Sequence, residues 1–340
     1  MRSSGETGGP AGPARAGLSG RVALVTGASG GVGLHTAARL AELGARTLMA
    51  SRDPARAEAA RKLVLDRHPG AAVETVRLDL ACLDAVRDAA QEVADRTDRL
   101  DLLVNNAGVM MPPRAGGGVP RTVDGFERQI GINHLGHFAL TGRLLPLLLA
   151  GARADPDGSP ARVVTVASMS YALAPRADGG GLSDPADFGL LPRNSTWCGY
   201  CRSKLANLLF AFELAHRAAG GRVPLESFAT HPGTARTRVV ADSVLGRAPV
   251  VGPVLRIGFK AVAQPAAKAA APSVYAATSP VVVSGRYYGP KHFAWGTPPV
   301  ETLIRRKARD HELGARLWAA SVEATGVGFD ELGYSAAEKR

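Results

Sequence analysis

Cysteine is scarce in this chain, with only Cys82, Cys198 and Cys201 among 340 residues. Three cysteines cannot form the dense disulfide framework that holds many small secreted proteins together. Cys198 and Cys201 have the C-x-x-C spacing of some metal and redox sites. No second cysteine pair and no histidine cluster accompanies them, and a structural zinc site takes four ligands. We therefore predict that the chain has no metal site.

Long runs of one residue class are also missing. The most apolar stretch, residues 244–263, is interrupted by Arg247, Arg256 and Lys260, which argues against a membrane span. The first residues contain Arg2 but no apolar segment, so we expect no secretory signal and a cytoplasmic location. The net charge is +11, yet no five like charges are consecutive. This pattern favours a solvated, arginine-rich surface over a nucleic-acid-binding stripe.

Short apolar runs alternate with helical segments along most of the chain. Residues 22–26 form an apolar run that ends in a glycine-rich turn, and Asp53-Pro54 suits a helix N-cap and first helical residue. The alternation predicts an α/β fold, a single domain built on a doubly wound parallel sheet of Rossmann type. The predicted strands span residues 22–26, 46–51, 73–78, 101–105, 162–167 and 224–230. The predicted helices span residues 32–43, 83–94, 124–149 with a kink at Pro146, and 196–219, with a further one after Asp53.

Composition also suggests where the folded domain begins and ends. Residues 1–19 are rich in Gly, Ser, Pro and Ala, which predicts a flexible N-terminal tail. Order should begin near Arg21, and the extent of the family resemblance given below implies a domain over residues 20–327 with residues 328–340 as a C-terminal tail. After the sixth predicted strand, residues 234–272 are apolar and interrupted by prolines. We expect this segment to form a lid over a binding site.

The first predicted strand leads into the sequence T-G-A-S-G-G-V-G at residues 26–33. Glycines at Gly27, Gly31 and Gly33 let the backbone turn tightly and leave room where a Cβ would otherwise stand. A helix follows at once, and helix N-termini bind phosphate. The segment therefore indicates a pyrophosphate-binding turn of a dinucleotide site.

Tyr200 and Lys204 stand four residues apart in the predicted helix 196–219, so their side chains share one helix face. A phenol ordinarily titrates near pH ~10. A nearby ammonium favours the phenolate and moves the pKa towards the range useful in acid/base catalysis. Together with the upstream dinucleotide turn, the pair indicates a nicotinamide-dependent oxidoreductase whose acid/base is a tyrosine.

Several further segments extend this pattern and identify a resemblance. The chain resembles the short-chain dehydrogenases/reductases over residues 20–327, and is most similar to the retinol-dehydrogenase-like branch and its bacterial members. The segments that carry the resemblance, besides residues 26–33, are R-L-D-L at 77–80, N-N-A-G at 105–108, D-G-F-E at 124–127, N-H-L-G-H-F at 133–138, Y-C-R-S-K-L-A-N at 200–207, H-P-G-T at 231–234 and Y-Y-G-P at 287–290.

The resemblance implies a catalytic set of Asn133, Ser168, Tyr200 and Lys204. Tyr200 would exchange a proton with the substrate oxygen, and Lys204 would hold the nicotinamide ribose hydroxyls and lower the pKa of the phenol. Ser168 would hydrogen-bond the same substrate oxygen and stabilise its developing charge. Asn133 would distort the long helix locally and hold a water in the proton relay.

One departure from the family pattern concerns the serine. The family usually has Ser-Ser where this chain has Ala167-Ser168, and the catalytic position is the second, so the assignment to Ser168 stands, with Ser170 the weaker alternative. His134 and His137 flank Asn133 at helical spacing, and we interpret them as packing or cap residues.

The choice of cofactor depends on the end of the second strand, at Ser51, Arg52 and Asp53. An acidic residue there suits the ribose 2′-OH of NAD, and a cation suits the 2′-phosphate of NADP. Asp53 precedes Pro54 and is simply explained as an N-cap, whereas Ser-Arg in the family goes with the 2′-phosphate. We therefore predict NADP(H), with NAD(H) as the alternative. The family's cofactor contacts match Gly27, Ser29, Gly30, Gly31, Val32, Gly33, Ser51, Arg52, Asp79, Leu80, Asn106, Ala107, Gly108, Tyr200, Lys204, Pro232, Gly233 and Thr234, with Thr237 as an additional candidate.

These observations predict an NADP(H)-dependent oxidoreductase that interconverts a carbonyl and an alcohol. The apolar lid suits a hydrophobic small molecule as substrate and leaves weak membrane-surface association open. A catalytically silent NADP(H) sensor of the same fold is the alternative, although a sensor has no need of all four catalytic residues. A nucleic-acid-binding role would require a basic stripe with interleaved aromatics, which is missing. The sequence leaves monomer and homo-oligomer both open.

Overall fold

A computed structural model describes residues 17–110, 119–174, 196–234, 264–292 and 295–334. Within these ranges the chain forms one eight-stranded sheet with helices on both faces. The strands are β1 (Val22–Thr26), β2 (Arg46–Ser51), β3 (Val73–Arg77), β4 (Leu102–Asn105), β5 (Ala161–Val166), β6 (Leu225–Thr230), β7 (Tyr287–Gly289) and β8 (Val300–Glu301). The helices are α1 (Gly31–Glu42), α2 (Pro54–Arg67), α3 (Leu83–Arg96), α4 (Arg128–Ile130), α5 (Gly136–Arg143), α6 (Leu145–Ala154), α7 (Thr196–Gly220), α8 (Ala266–Ala269), α9 (Ala271–Thr278) and α10 (His311–Thr325).

The strand order is β3-β2-β1-β4-β5-β6-β7-β8. Every neighbouring pair is parallel except β7 and β8, which are antiparallel. The chain winds outward from β1 in one direction and from β4 in the other, so the strand order reverses between these two strands. This confirms the predicted doubly wound parallel sheet, and it opens a crevice at the carboxyl ends of β1 and β4, where such folds bind ligands.

The sheet separates two apolar cores. On one face, α3, α5, α6 and α7 pack against the strands through residues such as Val86, Phe138 and Phe210. On the other, α1, α2 and α9 supply residues such as Leu40 and Val64. Because both faces are covered, the central strands are apolar on both sides, and β1 is buried along its whole length.

The long helix predicted from residue 124 begins later, at Arg128. Asp124 instead accepts a hydrogen bond from the Leu83 backbone N–H at 3.0 Å, at the start of α3. The carboxylate of Glu127 accepts from the N–H groups of Gln129 and Ile130, both at 3.0 Å, and so caps α4. The prediction of an earlier start was wrong because an acidic residue in this segment serves a neighbouring helix.

The helical segment is also broken near Pro146, as predicted. Arg128–Arg143 and Leu145–Ala154 meet at 53°, with Pro146 in the first turn of α6. In the described ranges no single helix is both long and apolar enough to cross a membrane, and this bent pair alone passes that test by length and composition.

Both ends of the folded region extend further than the composition indicated. Leu18 is only 1% exposed, and its N–H donates to the Leu43 carbonyl at 2.6 Å. Phe329 and Leu332 lie in the main core, so ordered packing continues past residue 327. Of the predicted tails and the predicted lid, residues 1–16, 335–340 and 235–263 fall outside the described ranges.

Candidate active site

The glycine-rich turn after β1 is packed so closely that side chains would not fit. Gly27 and Gly31 have φ values of 67° and 57°, in the left-handed region that favours glycine. A Cβ on Gly33 would lie 2.4 Å from Nδ2 of Asn106 and 2.5 Å from the carbonyl oxygen of Gly27. A Cβ on Gly30, in contrast, would meet only the end of the Arg56 side chain, at 4.0 Å. The turn therefore has the shape of a cradle for a phosphate-bearing ligand at the N-terminus of α1.

Thr26 joins this turn to the segment after β4. Its hydroxyl oxygen accepts hydrogen bonds from the backbone N–H groups of Asn106 and Ala107, each at 2.9 Å. The Asn106 side-chain amide donates to the Thr26 carbonyl at 2.7 Å. The carboxyl ends of β1 and β4 are thus locked together on both sides of the crevice.

Asn133 lies in a π-helical turn, Gly131–Leu135, between α4 and α5. The N–H of Gly136 bonds to the Gly131 carbonyl, five residues back rather than four. The Asn133 side chain accepts from the Val109 N–H at 2.8 Å and donates to the Val109 carbonyl and to Ser203 Oγ, each at 3.0 Å. The local helix distortion predicted at this residue is present, and Asn133 ties the β4 loop to α7.

Tyr200 and Lys204 lie one turn apart on α7, as the spacing requires. Lys204 is 4% exposed, and its Nζ donates to the Val166 carbonyl at the end of β5 at 3.0 Å. Nζ lies 5.9 Å from the centroid of the Tyr200 ring. A Cβ on Gly108 would approach Nζ to 3.5 Å, so glycine there keeps the space beside the ammonium open. The ammonium has three N–H donors, and the Val166 carbonyl takes one of them.

The pKa values of the pair move apart in the free protein. Burial lowers the pKa of Lys204 to about 8. Burial raises the pKa of Tyr200 to about 12, against the effect of a hydrogen bond with the Ser168 side chain. In the free protein, loss of solvation therefore dominates the pKa of the phenol, and the Ser168 hydrogen bond, rather than Lys204, is what lowers it.

Ser168 lies two residues after the end of β5, and its side chain hydrogen-bonds Tyr200. Its Oγ accepts from the Ser170 N–H at 3.2 Å and from the Ser170 hydroxyl at 3.0 Å. A hydroxyl has two acceptor lone pairs and one O–H, so Ser168 has its proton left to donate towards Tyr200 or a ligand oxygen. Ser170, the weaker candidate for the catalytic serine in the sequence, donates both of these hydrogen bonds to Ser168.

Two arginines, Arg52 and Arg56, follow the end of β2. Arg52 is exposed, whereas the Asp53 carboxylate caps α2 by accepting from the Arg56 N–H at 3.1 Å. The cap explanation of Asp53 is therefore confirmed. The Arg56 guanidinium reaches within 4.0 Å of the Cβ position of Gly30. Arg56 was not predicted from sequence; a second arginine four residues after Arg52, in the first turn of α2, was the available signal.

The loop after β6 is held in place by residues distant in sequence. Gly233 has φ 66°, and its N–H donates to the His231 ring at 3.3 Å. The Gln264 side chain donates to the Pro232 carbonyl at 2.7 Å, and its backbone N–H to the Thr234 carbonyl at 2.8 Å. Gln264 was not identified from sequence, where no motif distinguishes it. Thr237 lies outside the described residues.

Two other predicted groups also surround the crevice. Asp79 and Leu80 follow β3, where the Asp79 carboxylate accepts from the Ala81 N–H at 3.0 Å. His134 is buried and bonds Ser321 on α10 at 2.8 Å, which agrees with a packing role. His137, equally buried, contacts both Thr26 and Asn133.

The Cys198-x-x-Cys201 pair does not form part of a metal cluster. Among the described residues, no three His, Cys, Asp or Glu side chains converge to hold a metal ion. Cys201 is buried, and burial raises the pKa of its thiol to about 11, so the thiolate that binds metals is disfavoured.

Comparison with known proteins gives the family. The sequence model of short chain dehydrogenase matches residues 21–177. Human retinol dehydrogenase 13 is 36% identical over 319 residues, which cover 93% of this chain and 87% of that protein. The chain belongs to the short chain dehydrogenase family. Mouse polyprenol dehydrogenase is 37% identical to this dehydrogenase over 316 residues, 91% of this chain and 85% of the relative.

Solved structures agree with this membership. A crystal structure of a Mycobacterium paratuberculosis protein has a TM-score of 0.70 and 35% identity, covering 93% of this chain and 97% of the other. The RhlG/NADP active-site complex of Pseudomonas aeruginosa has a TM-score of 0.60 and 25% identity, covering 80% and 95%. This dehydrogenase is therefore a retinol-dehydrogenase-like member of an oxidoreductase family, and its glycine turn and available lysine donors fit a nicotinamide dinucleotide.

Proposed function

We propose that this dehydrogenase interconverts a carbonyl and a primary or secondary alcohol on a hydrophobic small molecule, with NADP(H) as its preferred cofactor. The observation that carries the proposal is the contact of Tyr200 with Ser168 and Lys204 beside the glycine-rich turn. An acid/base, an oxygen-binding hydroxyl and a cation stand together at the carboxyl edge of the sheet, with the phosphate cradle at the same edge.

Each residue has a separate task in the proposed reaction. A nicotinamide held in the cradle would supply or accept the hydride at the substrate carbon. Tyr200 donates its proton to the carbonyl oxygen during reduction and accepts a proton from the alcohol during oxidation. Ser168 donates a hydrogen bond to the same oxygen and stabilises its developing charge. Lys204 directs its remaining N–H donors to the ribose hydroxyls, and Asn133 holds the neighbouring loop for a relay water.

The preference for NADP(H) rests on the cations at the end of β2. Arg52 is exposed at the position that follows the strand, and Arg56 reaches over the glycine-rich turn. Guanidinium groups bind phosphate in a bidentate manner. Asp53 is engaged at the N-terminus of α2, so its carboxylate is drawn away from the role of reading a ribose 2′-OH. The RhlG complex holds NADP, which agrees with this assignment.

A hydrophobic substrate is supported by the aromatic surface beside Tyr200. Trp197 is 39% exposed, and its ring centroid lies 5.9 Å from that of Tyr200. Leu173, after β5, is 61% exposed. Retinol and polyprenol, which name two of the relatives, are apolar alcohols. An apolar wall next to the acid/base suits a substrate of this kind.

A turnover screen tests the proposal. The purified protein is incubated with NADPH or NADH and a panel of apolar aldehydes and ketones, including retinal, and with NADP⁺ or NAD⁺ and the corresponding alcohols. We expect turnover that is faster with the phosphorylated cofactors. Tight NADPH binding without turnover of any apolar substrate would instead support the sensor alternative.

A further inference from the structure

His137 makes two hydrogen bonds that its packing role does not require. It is the second residue of α5 and is 1% exposed. Its ring lies between the end of β1 and the π-helical turn. Its Nε2 is 2.8 Å from Thr26 Oγ1, and its Nδ1 is 3.1 Å from the Asn133 carbonyl oxygen. A buried imidazole needs hydrogen-bond partners, and here both partners belong to the candidate site.

The partners fix which ring nitrogen carries the proton. A backbone carbonyl only accepts, so Nδ1 must donate to Asn133. Thr26 Oγ1 already accepts from the N–H groups of Asn106 and Ala107, which occupies both of its lone pairs. The threonine hydroxyl must therefore donate, and the His137 ring, 2.8 Å away, is closer than the Val104 carbonyl at 3.4 Å. Both ends demand the same neutral tautomer, with the proton on Nδ1.

Burial supports the neutral ring. The pKa of His137 is lowered to about 4, chiefly by loss of solvation and further by the nearby Lys204 charge. The imidazole thus stays neutral across the physiological range, with one donor and one acceptor in fixed places.

The two bonds connect the two halves of the site. On one side Thr26 organises Asn106 and Ala107, which border the dinucleotide cradle. On the other, the Asn133 side chain bonds Ser203 at 3.0 Å, and Ser203 Oγ donates to the Tyr200 carbonyl at 2.8 Å. The imidazole ring therefore adds a second path from the cradle to the catalytic helix, beside the direct bonds between Asn133 and Val109.

We infer that His137 is a positioning residue that sets the π-helical turn of Asn133 against the dinucleotide cradle through its Nδ1–H tautomer. It touches neither substrate nor reacting atoms. Its effect on rate rests on the proposed function, whereas its tautomer and its effect on cofactor affinity do not. Small misplacements of reacting groups are costly, about 10²-fold in rate for roughly 1 Å.

Two amide substitutions separate the two bonds. The asparagine amide falls near the position of Nδ1, so His137→Asn keeps a donor to the Asn133 carbonyl and loses the partner of Thr26. The glutamine amide falls near Nε2, so His137→Gln keeps the partner of Thr26 and loses the bond to Asn133. We expect His137→Gln to lower kcat about 10–100-fold with NADPH affinity within about twofold of the wild type. We expect His137→Asn to weaken NADPH binding several-fold while kcat falls much less.

Stability and tautomer measurements complete the test. Melting temperatures of both variants are compared with that of His311→Gln, an exposed histidine at the start of α10 that should match the wild type in all three readouts. Long-range ¹H–¹⁵N spectra of the wild-type protein, with His137→Gln used to assign the ring, should show a neutral Nδ1–H imidazole.

The results discriminate clearly. An Nε2–H tautomer, or equal losses of kcat and NADPH affinity in the two amide variants, would overturn the positioning role and leave His137 as packing alone. If the wild type turns over no substrate, the proposed function fails, but the tautomer and the NADPH affinities of the variants still decide the role of His137.

Discussion

The Lys204 ammonium nitrogen lies 5.9 Å from the centroid of the Tyr200 ring, one turn further along α7. With the pKa of Lys204 lowered to about 8 and that of Tyr200 raised to about 12, the lysine loses its charge before the phenol ionises. In the free protein the cation is therefore absent when a phenolate would need it. A ligand that supplies hydrogen-bond acceptors to Lys204 favours the ammonium and brings the two pKa values together.

Replacing Lys204 by Met should stabilise the free protein while abolishing turnover. The ammonium is buried, and lowering its pKa from 10.5 to about 8 corresponds to about 3 kcal/mol of unfavourable free energy when it is charged. The Val166 carbonyl is not left unpaired by the substitution, since Asn207 Nδ2 also donates to it at 3.0 Å. Melting temperature and turnover, measured on the same preparations, check both parts.

The stabilisation should depend on pH. Because the folded-state pKa lies below the unfolded value, the cost of the charge is complete below pH 8 and fades as the pH rises towards 10.5. The difference in free energy of unfolding between Lys204→Met and the wild type should therefore be largest near pH 7 and small above pH 10. A difference that grows with pH would show that the ammonium stabilises the fold.

Replacing Tyr200 by Phe should remove turnover and leave cofactor binding nearly unchanged. Phenylalanine keeps the ring that packs beside Trp197 and removes only the oxygen that exchanges the proton. Loss of a positioned acid/base typically costs ~10²–10⁴-fold in rate. Initial rates and NADPH titrations provide the measurement. Tyr275→Phe, on α9, is the matched control; comparable rates for the two variants would refute the assignment of Tyr200.

Arg52→Ala and Arg56→Ala should weaken NADPH binding more than NADH binding. The guanidinium groups suit a 2′-phosphate, and a bare ribose hydroxyl offers them little. Dissociation constants for both cofactors decide the matter, with Arg316→Ala on α10 as a control for the loss of one positive charge. Equal losses for NADPH and NADH in the two variants, or tighter binding of NADH by the wild type, would assign the selectivity to Asp53.

Replacing Phe329 by Ala should destabilise the fold by about 3–5 kcal/mol, as expected for a large core aromatic. Phe329 is 7% exposed, and its ring lies 4.9 Å from that of Phe138 and 4.5 Å from that of Trp318. Denaturant unfolding measures the loss, and Tyr334→Ala, nearer the end of the chain and partly exposed, should cost less. A Phe329→Ala variant as stable as the wild type would place the boundary of the domain at residue 327 after all.

The sequence predicted the parallel sheet well but missed most elements after residue 230. The strands β1 to β6 contain four to six residues, and each is followed by a recognisable turn or helix. The strands β7 and β8 contain three and two residues, too few for a periodic pattern. Their place in the sheet depends on pairing with distant segments, such as Ala229 with Tyr287.

The sequence by itself determined which chemistry is available. The glycines at 27, 31 and 33, the Tyr200–Lys204 spacing and the alternation of strands and helices follow from local backbone geometry and from the pattern of apolar segments. Tertiary structure decided what the sequence could not express: the burial that moves the pKa values of Tyr200 and Lys204 apart, and the imidazole of His137 between Thr26 and Asn133. The solvation of a side chain and the identity of its hydrogen-bond partners depend on residues distant in the sequence. Thr26 and His137 are more than 100 positions apart, and only the folded chain brings them together.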